Sequence, residues 1–354
     1  MRSAVVFLAF AGVIGCLFVG GGAQTIADPD AVSAPWVQTN GPTGGIIDTI
    51  EIDPGDPDTL FAGGSGGAVF RSEDGGAAWV ALAQIAPPSH QISAIVLYPE
   101  TLVVLVSGQL HRSSDRGETW TELDLPTWFT CIAGASVGNE RILAAGGPAG
   151  RVYLSGDLGS TWGDASRGLP DEPISAIDVG PDGAVWIGTR NGGSGRVYRL
   201  DRGGSWRALS LPPQQDADVH SIAVDPGDPD TAYVGRINIY NVMFRHASDR
   251  YLLKTMDGGE TWTTLHLPGA DAMVNVMSIS PNDGTLYVGS GGTVYKSETA
   301  GATWVRIGPP GRNGDMRDIA VDPRDSNTLY LPRRAYGIVK STDRGATWLP
   351  INTG

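Results

Sequence analysis

The sequence predicts an all-β fold, a seven-bladed β-propeller of four-stranded antiparallel blades. Three observations predict it. A nine-residue string recurs seven times: RSEDGGAAW (71–79), RSSDRGETW (112–120), LSGDLGSTW (154–162), YRLDRGGSW (198–206), KTMDGGETW (254–262), KSETAGATW (296–304) and KSTDRGATW (340–348). The tryptophans that close the strings stand 41, 42, 44, 56, 42 and 44 residues apart, and a period of about 40–45 residues is one four-stranded blade. The chain also holds 50 Gly and 24 Pro with only 18% charged residues, a composition suited to many turns between short strands.

Each unit reads alike. An apolar strand opens it, as in Ile46–Ile52, and a turn such as DPGDPDT (53–59) follows; Asp and Pro are turn formers. The second strand ends in Gly, as in Thr285–Gly289, and a Gly-rich hairpin leads to a third strand such as Thr293–Ser297. The repeated string then turns the chain, and its Trp opens an outer strand.

The string has a mechanical explanation. Its carboxylate (Asp74, Asp115, Asp157, Asp201, Asp257 and Asp343) accepts hydrogen bonds from backbone N–H groups of its own turn. Its Gly takes a conformation other residues resist. Its indole (Trp79, Trp120, Trp162, Trp206, Trp262, Trp304 and Trp348) covers neighbouring strands. String six has Thr299 where Asp belongs, and string four has Arg199 in the Ser place, so those two turns are expected to be less well held. One carboxylate per turn is too few for calcium. The five histidines show no H-x-x-x-H spacing, so no metal is expected, and no phosphate loop points to a nucleotide. No cofactor is expected.

A net charge of −13 argues against nucleic acid, which requires a basic footprint, and against an anionic lipid surface. Residues 1–23 read as a secretory signal: Arg2, an apolar run from Ala4 to about Val19, then Gly20-Gly21-Gly22-Ala23. A lipoprotein processed at Cys16 and an uncleaved anchor are alternatives, and all three export the domain. Residues 24–34 read as a linker and 35–354 as one propeller. No membrane insertion of the mature domain is expected, and the ring is read as a monomer. After cleavage Cys131 is alone, a buried thiol with no disulfide. Residues 35–40 mimic an outer strand without a blade and are expected to fasten the ring near the last blade.

The seven strings, with IDPGDPDTLF (52–61), VDPGDPDTAY (224–233) and VDPRDSNTLY (321–330), resemble the Asp-box repeats of the YVTN/BNR-like propeller superfamily across residues 35–354. Relatives include photosystem II assembly factors, family 74 xyloglucanases, sortilin-type ectodomains and sialidases. The resemblance implies the fold strongly and the function weakly. Sialidases carry an Arg-Ile-Pro signature absent from this sequence. Family 74 enzymes place their acids between two propellers, and this chain has length for one. The assembly factors resemble it in size and carry an arginine patch on one face.

Connectivity puts Asp boxes and D-P turns on one face, and inter-blade links with second-to-third-strand hairpins on the other. The long fifth unit places its excess, 236–250, on that second face, with Arg236, Tyr240, Met243, Phe244, Arg245, His246 and Arg250. Aromatic residues beside Arg suit recognition. Arg312, Arg317, Arg333, Arg334 and Tyr336 extend the same sector. Acids on this face (Asp171, Glu172, Asp216, Asp218, Asp271, Asp315 and Asp318) sit in no distinctive catalytic motif, so catalytic residues stay unassigned. His90 and His220 are read as structural groups flanking the channel. The reading favoured is a non-catalytic binding propeller for a protein or glycan; the alternative is a polysaccharide hydrolase or lyase.

Overall fold

A computed structural model describes residues 46–213, 217–238, 251–268, 274–290, 292–308, 316–333 and 337–352. The signal segment, the linker and the 35–40 strand lie outside the described residues. Within them, 28 strands form seven four-stranded sheets. Every sheet is antiparallel, built from consecutive strands of one stretch of chain: 47–84, 92–122, 131–164, 174–209, 217–265, 274–307 and 320–350. The inner strand of each blade lies beside that of the next, and the seventh beside the first, so the ring is closed.

The strands follow from burial on both faces. Second strands such as Thr101–Val106 and Val185–Thr189 are apolar runs buried throughout, as expected for sheets covered on both sides. Seven hydrophobic clusters fill the junctions between blades, each with one box Trp packed into it. Trp79 is fully buried; the other six box indoles are half-buried at the rim.

The box turns behave as their chemistry requires. In the first, Asp74 accepts from the Ala78 amide at 2.8 Å and from the Ser72 hydroxyl at 2.8 Å. Asp115, Asp157, Asp257 and Asp343 repeat this with Thr119, Thr161, Thr261 and Thr347. Box six keeps the same shape without a carboxylate: the Thr299 hydroxyl accepts the Thr303 amide at 2.8 Å. That turn is held, against expectation, because a hydroxyl offers the same acceptor position. Box four takes another course. Arg199 replaces the serine, and its Nε meets Asp201 at 2.7 Å. Its other nitrogens reach Asp182 at 3.1 Å and Asp230, in the next blade, at 3.2 Å, with the guanidinium 5.2 Å from the Trp186 ring centre. The substitution thus pins blade four to blade five.

One further regularity sets the packing between blades. Three residues after each box Trp, the outer strand carries Leu82, Leu123, Ala165, Leu209, Leu265, Ile307 or Ile351. Six of these side chains press on the box Gly of the following blade: Leu82 on Gly117, Leu123 on Gly159, Leu209 on Gly259, Leu265 on Gly301, Ile307 on Gly345 and Ile351 on Gly76. A β-carbon on Gly159 would lie 2.6 Å from Leu123 Cδ1, and these glycines have φ near +90°. Gly is therefore required twice over, by contact and by conformation. Ala165 is the exception.

The junction between blades seven and one uses the same devices. Trp79 Nε1 donates to the Ile351 carbonyl at 2.7 Å, and Lys340 Nζ to the Gly75 carbonyl at 2.8 Å. Asp318 accepts from the Ile50 amide at 2.9 Å and the Thr49 hydroxyl at 3.0 Å.

Two outcomes follow. Leu123→Ala should cost about 2–5 kcal/mol in urea unfolding, because it empties a filled junction. The carboxyls of Asp115, Asp157, Asp257 and Asp343 are held down at about 2, chiefly by threonine hydroxyls and amides. A folded value below the unfolded one, about 3.9, means their stabilisation is complete above roughly pH 4 and is lost as pH falls towards 2. Thr299→Asp should therefore raise the melting temperature at pH 7 and lose that gain by pH 2; paired thermal melts check it.

Candidate functional site

The two faces differ as connectivity requires. Box turns bond to the first hairpin of their own blade, as in Gly75 N to Asp58 O and Arg344 N to Asn327 O. On the opposite face, hairpins bond to inter-blade links: Gly66 N to His90 O, Arg190 N to Pro173 O and Gly195 N to Ala217 O.

That second face carries a fixed loop at residues 190–195, the second hairpin of blade four. Two buried carboxylates cradle it. Glu172 accepts from Thr189 Oγ1 at 2.6 Å and Asn191 Nδ2 at 2.9 Å. Asp218, fully buried, accepts the amides of Asn191 at 2.9 Å and Gly193 at 2.8 Å. Buried carboxylates in such numbers of hydrogen bonds are architectural. They fix the loop that carries Arg190.

Arginines of two blades bear on a histidine of a third there. His220, on the inner strand of blade five, has its pKa lowered by burial first, and then by Arg190 of blade four and Arg317 of blade seven. Arg317, close to half exposed at 46%, also lies 3.3 Å from the buried Asp48. Trp128, on the link from blade two to three, is 53% exposed on this face. Its neighbour Phe129 is buried, bonds through its amide to Gly108 O at 3.0 Å and packs on Trp162.

The residues singled out from sequence divide three ways. Arg317 lies on this side, close to half exposed. Arg236 and Arg333 lie on this side but are buried, not displayed; Arg236 donates to the Ala217 and Pro212 carbonyls at 3.2 and 3.4 Å. Tyr240, Met243, Phe244, Arg245, His246, Arg250, Arg312, Arg334, Tyr336, Asp216, Asp271 and Asp315 lie outside the described residues. The long connection of blade five follows a second strand that runs to Asn238. Sequence reasoning missed Arg190 and Trp128, which sit in ordinary-length links.

The central channel, about 640 Å³, is lined by inner strands of all seven blades and carries three acids, Glu51, Asp178 and Asp318. Asp178 bonds the amides of Val179 and of Val224 in the next blade, both at 2.8 Å. Burial pushes its carboxyl up to about 6. Burial also raises Glu51 well above the usual range, helped by the Asp318 charge, and raises Asp318. Burial holds the Cys131 thiol up at about 12, so it is an inert group. Among the described residues, no three His, Cys, Asp or Glu side chains cluster to hold a metal.

The closed ring of seven blades, six of them turned by an Asp or Thr box of one shape, defines an Asp-box β-propeller. Comparison with known proteins fits the YVTN/BNR-like superfamily. Residues 58–223 match the family described as the DUF6242 beta propeller domain. The chain is similar to a xyloglucanase of Paenibacillus sp., 25% identical over 62% of this chain and 26% of that protein. It is similar to xyloglucanase Xgh74A of Acetivibrio thermocellus, 25% identical over 97% of this chain and 42% of that protein. The chain thus spans less than half the length of these relatives. Among solved structures it resembles the GH74 xyloglucanase of Xanthomonas campestris (TM-score 0.70, 16% identity, 90% of this chain and 55% of that one). It also resembles YCF48 of Cyanidioschyzon merolae (TM-score 0.66, 15% identity, 86% of this chain and 97% of that one). At such identities the likeness is one of fold.

His220 should titrate below the ordinary histidine value of about 6.5. Arg317→Gln should move that titration upward, read from the imidazole resonances across pH 4–8. An unmoved titration would show that Arg317 does not bear on the ring.

Proposed function

We propose that this is an exported, non-catalytic binding propeller that holds an anionic segment of a partner protein against the face opposite its Asp boxes. The observation that carries this reading is that Arg190 and Arg317, from two blades, both bear on His220 of a third and hold it neutral, in a chain of net charge −13. A localised cationic mouth on an acidic body attracts an acidic partner. Trp128 adds an exposed aromatic anchor of the kind that dominates recognition surfaces. The long connection of blade five, residues 239–250, with Arg334 and Tyr336, is proposed as part of the same surface. One structural neighbour is a YCF48 recorded with D1 peptide bound (14% identity, TM-score 0.63), which supports a peptide as the kind of ligand. Export rests on the pattern of residues 1–23 and on likeness to an extracellular domain of Bacteroides thetaiotaomicron BT4673.

A second reading, polysaccharide hydrolysis, is favoured by the xyloglucanase matches and by the acids Glu51 and Asp318, whose charges oppose each other in the channel. It requires product release from xyloglucan that Glu51→Gln abolishes.

The test of the first reading is fluorescence anisotropy of labelled Asp/Glu-rich peptides at low salt. The double variant Arg190→Ala/Arg317→Ala should weaken binding at least tenfold, since each charge-assisted contact contributes about 1.5–3 kcal/mol, and added salt should weaken wild type in parallel. Equal binding by variant and wild type rejects the proposal.

A further inference from the structure

The loop at residues 190–195 is held by a pincer. One oxygen of the fully buried Asp218, Oδ1, accepts the amides of both Asn191 and Gly193, at 2.9 and 2.8 Å. Among the described residues the amide between them, that of Gly192, has no hydrogen-bond partner. The Asn191 side chain donates through Nδ2 to Oε1 of the buried Glu172 at 2.9 Å, and Thr189 Oγ1 donates to the other oxygen at 2.6 Å. Asn191 and Gly192 are themselves exposed, and nothing lies within 4 Å of where a Gly192 side chain would begin. The sequence has three Asn-Gly pairs, at 40–41, 191–192 and 313–314, and the second is the one among the described residues.

Asparagine followed by glycine is the pair most open to attack of a backbone nitrogen on the side-chain amide, because glycine carries no β-carbon to shield that nitrogen. The reaction forms a bond from Gly192 N to Asn191 Cγ and breaks the bond from Cγ to Nδ2. The proton lost from Gly192 N is balanced by one gained at Nδ2, so ammonia departs and a cyclic succinimide remains. Water then opens the ring. Attack at the side-chain carbonyl gives aspartate. Attack at the main-chain carbonyl gives isoaspartate, whose chain runs through the former side chain. In this loop the attacking N–H is unengaged, and both residues of the pair stand in water.

We infer that Asn191 is a site of spontaneous deamidation, and that its conversion releases the 190–195 loop from Asp218 and Glu172. Each product breaks a different part of the cradle. Isoaspartate adds a backbone atom between the amides of residues 191 and 193, which then cannot both reach one Asp218 oxygen. Aspartate keeps the backbone but sets a carboxylate where an N–H donor met Glu172. Two like charges at hydrogen-bond distance, one of them buried, drive the side chains apart. The cradle is therefore built for the amide, and the change runs one way. It frees the loop that carries Arg190. Its test reads mass and amide exchange, not ligand capture, so it stands apart from the peptide-binding reading.

The full-length protein is incubated in warm, mildly alkaline buffer and sampled by peptide-mapping mass spectrometry, with amide hydrogen exchange measured on the same samples. The peptide that holds residue 191 should gain the mass of an amide-to-carboxyl change and separate into aspartate and isoaspartate forms. The amides of residues 191 and 193 should exchange about tenfold faster in step with it, the loss of one charge-assisted hydrogen bond. Asn191→Asp should show faster exchange without incubation. Adding Glu172→Gln to that variant should restore the protection, because a neutral amide there can donate to the new carboxylate. A peptide at 191 that keeps its amide through an incubation that fully converts the urea-unfolded chain would overturn the inference. So would full protection in Asn191→Asp, or a loss that Glu172→Gln leaves unrepaired.

Discussion

The molecule depends on one repeated contact: an aliphatic side chain on each outer strand set against a glycine in the next blade's turn. A four-stranded blade cannot cover its own faces. The contact supplies cover at the rim, where strands are shortest, and each buried Leu or Ile contributes about 1.5–3 kcal/mol. It also explains why the turn has the composition it has. The carboxylate or hydroxyl holds the loop, the glycine both bends it and receives the neighbour, and the indole seals the cluster beneath. Arg199 and Ala165, the two departures, fall on either side of blade four. The first pins that blade to its successor.

Charge is sorted by position. Exposed acids of the box turns are stabilised as anions by their own loops. Acids inside the channel are raised, because burial there penalises charge more than their hydrogen bonds offset it; Asp178 and Asp318 also serve as acceptors for a neighbouring inner strand. Those acceptors matter because the first strand of every blade is an edge, with amides facing the channel that no fifth strand can satisfy. Arginines of the box face pair with acids there, as Arg116 does with Asp53 and Arg344 with Glu298.

Much of this was legible in the sequence. Seven strings at a near-constant period fixed the number of blades and the face each turn occupies, because both follow from local rules of turn chemistry. One departure was legible too: aligning the third residue after each Trp exposes Ala165 at once among six Leu and Ile. What could not be read was which arginines meet. Arg236 and Arg333 look like Arg317 in sequence, yet two are buried and one is close to half exposed, because their fate depends on register within a hairpin and on strands from other blades. Arg190 owes its place to Asp218, a residue of the following blade, and no spacing rule links the two. The rescue of box six by a hydroxyl was hidden because sequence records the lost carboxylate but not the acceptor position that Thr299 still provides.

Each sheet is made from one uninterrupted run of chain, so among the described residues no strand is lent from one end of the molecule to the other. Six junctions have a covalent link across them; among the described residues the one between the seventh and first blades is held by noncovalent contacts, those of Trp79, Lys340, Asp318, Tyr330 and Arg317 among them. Under tension applied at the two ends, load falls on this noncovalent hinge before any sheet is sheared. The ring would then open like a clasp, paying out intact blades in order, and on release would need only to find that single mating surface again to close.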